Sequence, residues 1–192
     1  MPVPPIYTLG YGARDIEDLL AALQANRIQY LIDVRSSPYS GYKPEFSKNA
    51  LQATLEANGI RYVFMGDTLG GQPEDEHCYT DGKVDYTKVA QQPFYLEGIE
   101  RLHKACRQGR RVVLMCSEGK PENCHRSKLI GQTLATEGIE VLHIDEKDAV
   151  ITQKDVLLRL TGGQLSLFGD DYFSFTSRKR YRDEHGDVDG AE

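Results

Sequence analysis

The sequence predicts a three-layer α/β domain, a mainly parallel sheet of about five strands with helices on both faces. Three observations carry this. Short apolar runs alternate along the chain with segments whose apolar residues recur every three or four positions, giving the order strand, helix, strand, helix. One run, Val112-Val113-Leu114-Met115, is bounded by charge, too short for a helix and rich in β-branching, as a strand covered on both faces requires. Finally, Gly59, Gly109 and Gly138 each follow a helical segment and stop it before the next strand.

The elements follow in order. Ile6 to Gly10 reads as the first strand, and Gly10-Tyr11-Gly12 as a tight turn. A helix from about Asp15 carries Ile16, Leu19, Leu20 and Leu23 on one stripe, with acidic residues in its first turn. Ile28 to Val34 is the second strand, and the long loop SSPYSGYKPEF after it has the length and aromatic content of a functional loop. Ser47 is placed to cap a helix bearing Leu51 and Leu55, and Ile60 to Met65 is the third strand. Residues 66–85 read as an irregular lid or edge loop with Gly70-Gly71 and the acidic run Glu74-Asp75-Glu76. Pro93 suits the first turn of a helix in which Tyr95, Ile99, Leu102 and Cys106 share a face. After the Val112–Met115 strand, a helix from near His125 buries Leu129, Ile130, Thr133 and Leu134. Ile139 to Ile144 is the fifth strand, and Thr152 with Asp155 forms a capping pair for a last helix.

The expected division is one α/β domain over residues 1–161 and a flexible tail over 162–192. The net charge of −6 excludes a protein that coats nucleic acid by bulk charge, while allowing a local basic patch. The amino-terminal sequence has no basic region followed by an apolar run, and no stretch has the length of a membrane span, so the expectation is a cytoplasmic protein without a membrane partner. In that compartment Cys78, Cys106, Cys116 and Cys124 are thiols rather than a disulfide framework. Cys106 falls on a helix's apolar face; the other three lie in loops and are candidates for chemistry.

Reactive side chains collect where strands end. Gly10-Tyr11-Gly12 with Arg14, Asp33 with Arg35, and Cys116 through Arg126 follow three strands, and ligands of open α/β sheets bind at carboxyl strand ends near a change in strand order. With Thr8-Leu9-Gly10-Tyr11-Gly12, Asp33-Val34-Arg35 and the pattern Cys116, seven residues, Cys124-His125-Arg126, the chain resembles the bacterial DUF488 family over roughly residues 6 to 145. The resemblance implies a single α/β domain and a site at these positions, and leaves the reaction to be argued from chemistry.

Several chemistries fit. Cys116 can serve as a nucleophile, its thiolate favoured by Arg126 and a helix amino terminus, or as a packing thiol beneath the site. A phosphatase loop of Cys, five residues, Arg is absent because Glu122 occupies the Arg place, while LIDVR and VVLMCSEG give a looser likeness to rhodanese-like sulfurtransferases. Cys116, Cys124, His125 and either His77 or Cys78 have the softness for zinc. Adjacent Cys-His is hard to point at one ion, however, and no Cys-x-x-Cys pair occurs, so no metal or cofactor is expected. The reading placed first is acid–base catalysis by Asp33 and Glu118 with His125, against ion pairs Asp33–Arg126 or Glu118–Arg35 that tie the loops. Tyr11, Arg14, Arg35, Cys124 and Arg126 are the candidate substrate contacts. Arginines mixed with Tyr11, Tyr39, Tyr42 and Phe46 suit a nucleotide's phosphate and base.

In the tail, Gln164-Leu165-Ser166-Leu167-Phe168 resembles the motif by which bacterial DNA polymerases and repair proteins dock on the β sliding clamp. Gln164 supplies amide bonds, Leu165 an anchor, and Leu167 with Phe168 an apolar plug. The functional expectation is a DNA-maintenance enzyme, a hydrolase of a nucleotide or modified base in DNA, recruited by the clamp. The alternatives are a cysteine-dependent phosphatase or sulfurtransferase, and a non-catalytic DNA- or clamp-binding adaptor.

Overall fold

A computed structural model describes residues 3–163 and 176–182. The α/β architecture holds, with a six-stranded sheet in the order β3-β2-β6-β1-β7-β8. The central strands β1 (Ile6–Gly10) and β6 (Val112–Cys116) are buried at every position because helices cover both faces. Parallel pairing runs from β3 (Arg61–Phe64) through β2 (Tyr30–Asp33), β6 and β1 to β7 (Val141–Ile144). From β1 the chain crosses over β6 to β2, and from β6 it crosses over β1 to β7. These neighbours therefore send their connections in opposite directions, which opens a crevice at their carboxyl ends.

Alternation along the strands divides the core. Tyr7, Leu9, Leu31, Val113 and Met115 pack with Leu19, Leu23, Leu51 and Leu55 of α1 (Ile16–Ala25) and α2 (Lys48–Ala57). Ile6, Ile32, Leu114 and Cys116 face the other way, toward the Tyr95, Ile99, Leu102 and Cys106 stripe. Three helices precede or carry that side: α3 (Gly66–Leu69), α4 (Tyr86–Val89) and α5 (Pro93–Arg107). After β6 and a 3₁₀ turn at Pro121–Asn123, the predicted helix is in fact a π-helical stretch, Arg126–Gly131, running into α6 (Gln132–Thr136). Wide turns of this kind recur beside functional sites.

Several local expectations are corrected. Ser47 is the N-cap of α2 but makes no side-chain cap bond; its Oγ instead accepts from Ser40 N at 3.1 Å, closing the preceding loop. The lid region contains a small hairpin, β4 (Tyr79–Thr80) with β5 (Lys83–Val84), turned by Asp81 and Gly82 at φ 51° and 72°. A sixth strand, β8 (Val150–Thr152), pairs antiparallel with β7 before the Thr152–Asp155 capping box opens α7 (Gln153–Leu160). Three residues carry too little pattern to announce an edge strand.

Residues 176–182, which the sequence assigns to a flexible tail, lie against the hairpin. Ser177 N donates to Val84 O at 2.9 Å, Tyr181 N to Gly82 O at 2.8 Å, and the Arg182 guanidinium covers the Tyr79 ring and bonds Glu76. The motif residues Gln164, Leu165, Leu167 and Phe168 lie outside the described residues. Among the described residues no helix is long and apolar enough to cross a membrane.

Candidate functional site

The residues predicted to form one site lie at the same sheet edge but on opposite faces. Asp33 alternates onto the α1/α2 face and Cys116 onto the α5 face, so two clusters form with the strand ends between them.

On the first face Asp33 is fully buried and its carboxylate is saturated. Oδ1 accepts from Arg35 N at 3.1 Å and Arg35 Nε at 2.9 Å; Oδ2 accepts from Arg35 Nη2 at 2.6 Å and Tyr62 Oη at 2.8 Å. Burial alone would pull Arg35 down, but its bonds to Asp33 and the carboxylate's charge outweigh that and raise it. Burial and the Asp33 charge together push the Tyr62 hydroxyl up. Arg35 also donates to Phe46 O and lies 5.5 Å from the centre of the Tyr11 ring, which stacks on Phe46. The pairs weighed from sequence as the alternative to acid–base chemistry, Asp33–Arg126 and Glu118–Arg35, are thus replaced by Asp33–Arg35, which with Tyr62 takes up both oxygens of the Asp33 carboxylate. Arg14 is likewise committed. It donates to Gly10 O and Asp145 O and pairs with Asp148 Oδ1 at 2.7 Å, tying the end of β1 to the β7–β8 turn.

On the second face three side chains converge. Cys116 ends β6, Cys124 closes the 3₁₀ turn and accepts the first helical amides at its carbonyl, and His125 begins the helix. His125 Nδ1 is 3.9 Å from Cys116 Sγ and 3.6 Å from Cys124 Sγ. Nε2 stands 3.1 Å from Val34 O, an acceptor only, so Nε2 carries the proton and Nδ1 presents a lone pair to the sulfurs. The Cys116 thiol is held well below the ordinary range, first by the Cys124 S–H turned toward it, against the effect of burial, and also by the Arg126 charge. The Cys124 thiol is raised by burial and by the neighbouring thiolate, so the two share one proton as a pair.

Arg126 is fully buried beneath this loop. Nη1 donates to Glu118 O and Nη2 to Gly119 O at 2.9 Å, so the guanidinium shapes the segment after β6 instead of reaching for phosphate. The loop lies so close to β1 that a Cβ on Gly10 would fall 1.7 Å from Glu118 O, which explains the glycine. Glu118 stands at the rim and pairs with Arg178 at 3.2 Å. Lys128 is lowered first by burial and then by the charges of Arg178 and Lys83, while the Cys124 thiol and Glu118 act the other way.

Sequence reasoning missed the Val34 carbonyl, Tyr62, and Tyr181, which packs against the apolar cluster that contains Cys116 and Cys124. Only Gly70-Gly71 left a visible signal, as a paired glycine in the presumed lid. Cys78, a loop candidate in the sequence, is a core thiol raised by burial, and His77 is exposed and bonded to Asp75.

Fold and site define an α/β protein with a buried thiol–imidazole cluster at its topological switch point. The family model described as domain of unknown function DUF488 matches residues 15–132, more than half the chain, and the chain belongs to that family. No curated protein and no solved structure matches it.

Proposed function

We propose that the protein is an enzyme whose reacting group is the Cys116 sulfur, acting on a phosphate-bearing substrate, a nucleotide or modified base in DNA. The observation that carries the chemistry is the convergence of Cys116, Cys124 and His125 at the switch point, where ligands of open sheets bind. Lys83 and Arg178 are near enough to act on Lys128, and with Glu118 pairing Arg178 a basic excess remains there that supports an anionic substrate. Hydrolysis by an Asp33–Glu118 pair is disfavoured, because Asp33 has no free acceptor position and faces away from the sulfurs.

A second observation concerns location. The sequence Gln164-Leu165-Ser166-Leu167-Phe168 supports recruitment by the β sliding clamp, and so a place in DNA maintenance. Tethering to a ring on DNA raises the local substrate concentration without a strongly basic surface.

Two measurements test this. In a turnover screen over nucleotides and damaged or modified DNA, Cys116→Ser and thiol alkylation should each abolish activity; full activity in Cys116→Ser refutes the chemistry. Binding without any turnover favours the adaptor reading. Titration with the clamp should give binding that Leu167→Ala with Phe168→Ala removes, and a clamp affinity unmoved by that change refutes the recruitment.

A further inference from the structure

Two of the three converging donors are sequence neighbours, which a uniformly extended or helical backbone would splay apart. Cys124 is extended, with φ −113° and ψ 148°, and His125 is helical, with φ −61° and ψ −24°. The change of backbone region between them turns both side chains to one side, where Cys116 arrives from β6. The sequence-based objection to adjacent Cys-His ligands is thereby removed. All three donor atoms lie within 4.8 Å of one another, and all three residues are buried.

The spacing matches a coordination sphere. A tetrahedral zinc ion with arms of about 2.3 Å to sulfur and about 2.0 Å to nitrogen sets sulfur and nitrogen ligands about 3.5 Å apart. The observed separations from Nδ1 are 3.6 Å and 3.9 Å. The imidazole is already oriented, because the Val34 carbonyl holds Nε2–H and leaves the Nδ1 lone pair facing the sulfurs; metal-bound histidines are commonly held by such an outer acceptor. A Cβ at Gly71 would stand 2.7 Å from Nδ1 and 2.9 Å from Cγ, so glycine lets the backbone pack closely against the ring and hold it in place.

We propose that Cys116, Cys124 and His125 bind one thiophilic divalent ion of the zinc class, with a fourth position open to water or substrate. The inference rests on the proposed function only for where chemistry occurs, and it supplies what would keep Cys116 deprotonated and reduced there. Two thiolates balance the ion's charge, so the buried centre is neutral. Among the described residues no fourth His, Cys, Asp or Glu joins the group, and three protein ligands are the pattern of reactive rather than closed zinc sites.

The test uses the full chain, reduced and metal-free, titrated with Co(II). A sulfur-to-cobalt charge-transfer band should saturate at one equivalent and vanish on adding one equivalent of zinc. Cys124→Ser and His125→Gln should each weaken zinc binding by more than about 100-fold, since loss of an outer-shell partner alone costs 10–100-fold. Should those variants fold poorly, the wild-type chain still decides: one equivalent of zinc should protect two thiols, mapped to Cys116 and Cys124, from alkylation. No saturable band, protection of neither thiol, or a Cys116–Cys124 disulfide that binds no ion once reduced overturns the proposal. The two readings separate cleanly. Turnover that needs Cys116 in a chain with no metal signal overturns the ion and leaves the sulfur chemistry, whereas a metal signal with turnover intact in Cys116→Ser does the reverse.

Discussion

His143 lies under the site, wholly buried, and gives a stability change whose size follows from the structure. Its Nδ1 is 2.7 Å from Thr8 Oγ1 and its Nε2 is 2.7 Å from Gln153 Oε1, so Thr8 donates to the ring and the ring donates to Gln153. Gln153 in turn donates to Ser127 O at 3.1 Å, linking β1, β7 and α7 to the π-helical turn. Burial lowers His143 from the ordinary 6.5 to about 4, and the nearby Arg126 charge adds to this. Between those values the unfolded chain binds a proton that the native ring refuses, so native stability is complete above pH 6.5 and is lost as pH falls toward 4. At 1.36 kcal/mol per unit the full loss is about 3 kcal/mol, of which about 2 kcal/mol falls between pH 7.5 and pH 5. Urea unfolding across that range, compared with His143→Gln, isolates the effect, because the other ionisable groups are common to both chains. The wild type should lose about 2 kcal/mol more than the variant over this interval. Equal slopes, or a native His143 resonance titrating near 6.5, would refute the assignment of a buried neutral imidazole.

Other outcomes follow from the same geometry. Gly10→Ala should destabilise by at least about 1–3 kcal/mol, since the new Cβ overlaps the Glu118 carbonyl, and should slow alkylation of Cys116 if the loop is displaced. Thermal melts and a timed alkylation read both. Asp33→Asn leaves the Arg35 charge buried and incompletely paired, for a loss of about 3–5 kcal/mol, while Tyr62→Phe should cost only about 1 kcal/mol. The folded fraction of Asp33→Asn should keep Cys116-dependent turnover, and a selective loss of that turnover would restore the acid–base role. Arg182→Ala removes the Tyr79 and Glu76 contacts, so hydrogen exchange at the Ser177 and Tyr181 amides should quicken while the β1 amides are unchanged.

Much of the fold was legible before any coordinates. The apolar stripe of α5, with Pro93 in its first turn, the Thr152–Asp155 capping box and the charge-bounded strand at Val112–Met115, which the structure extends by one residue to Cys116, are local patterns, set by period, cap chemistry and β-branching within a few residues. The gathering of reactive groups at strand ends was legible too, because a parallel sheet leaves its loops and helix amino termini on one edge. These features need only neighbours in sequence, which is why the sequence alone determined the α/β class, the candidate site's edge and the residues that compete for it.

What the tertiary structure alone decided is which of those residues meet. A single step of strand alternation sends Asp33 to one face and Cys116 to the other, and the strand order that places β6 between β1 and β2 is set by long-range packing no local pattern records. Asp33 found Arg35 two residues away instead of Arg126, because side chains at such spacing share a face at a strand's end. Cys124 and His125 point together only because a turn changes to a helix between them. The proton on His125 is assigned by a carbonyl from residue 34. Such pairings depend on three-dimensional proximity between elements far apart in sequence, and proximity is what packing the two faces of the sheet creates.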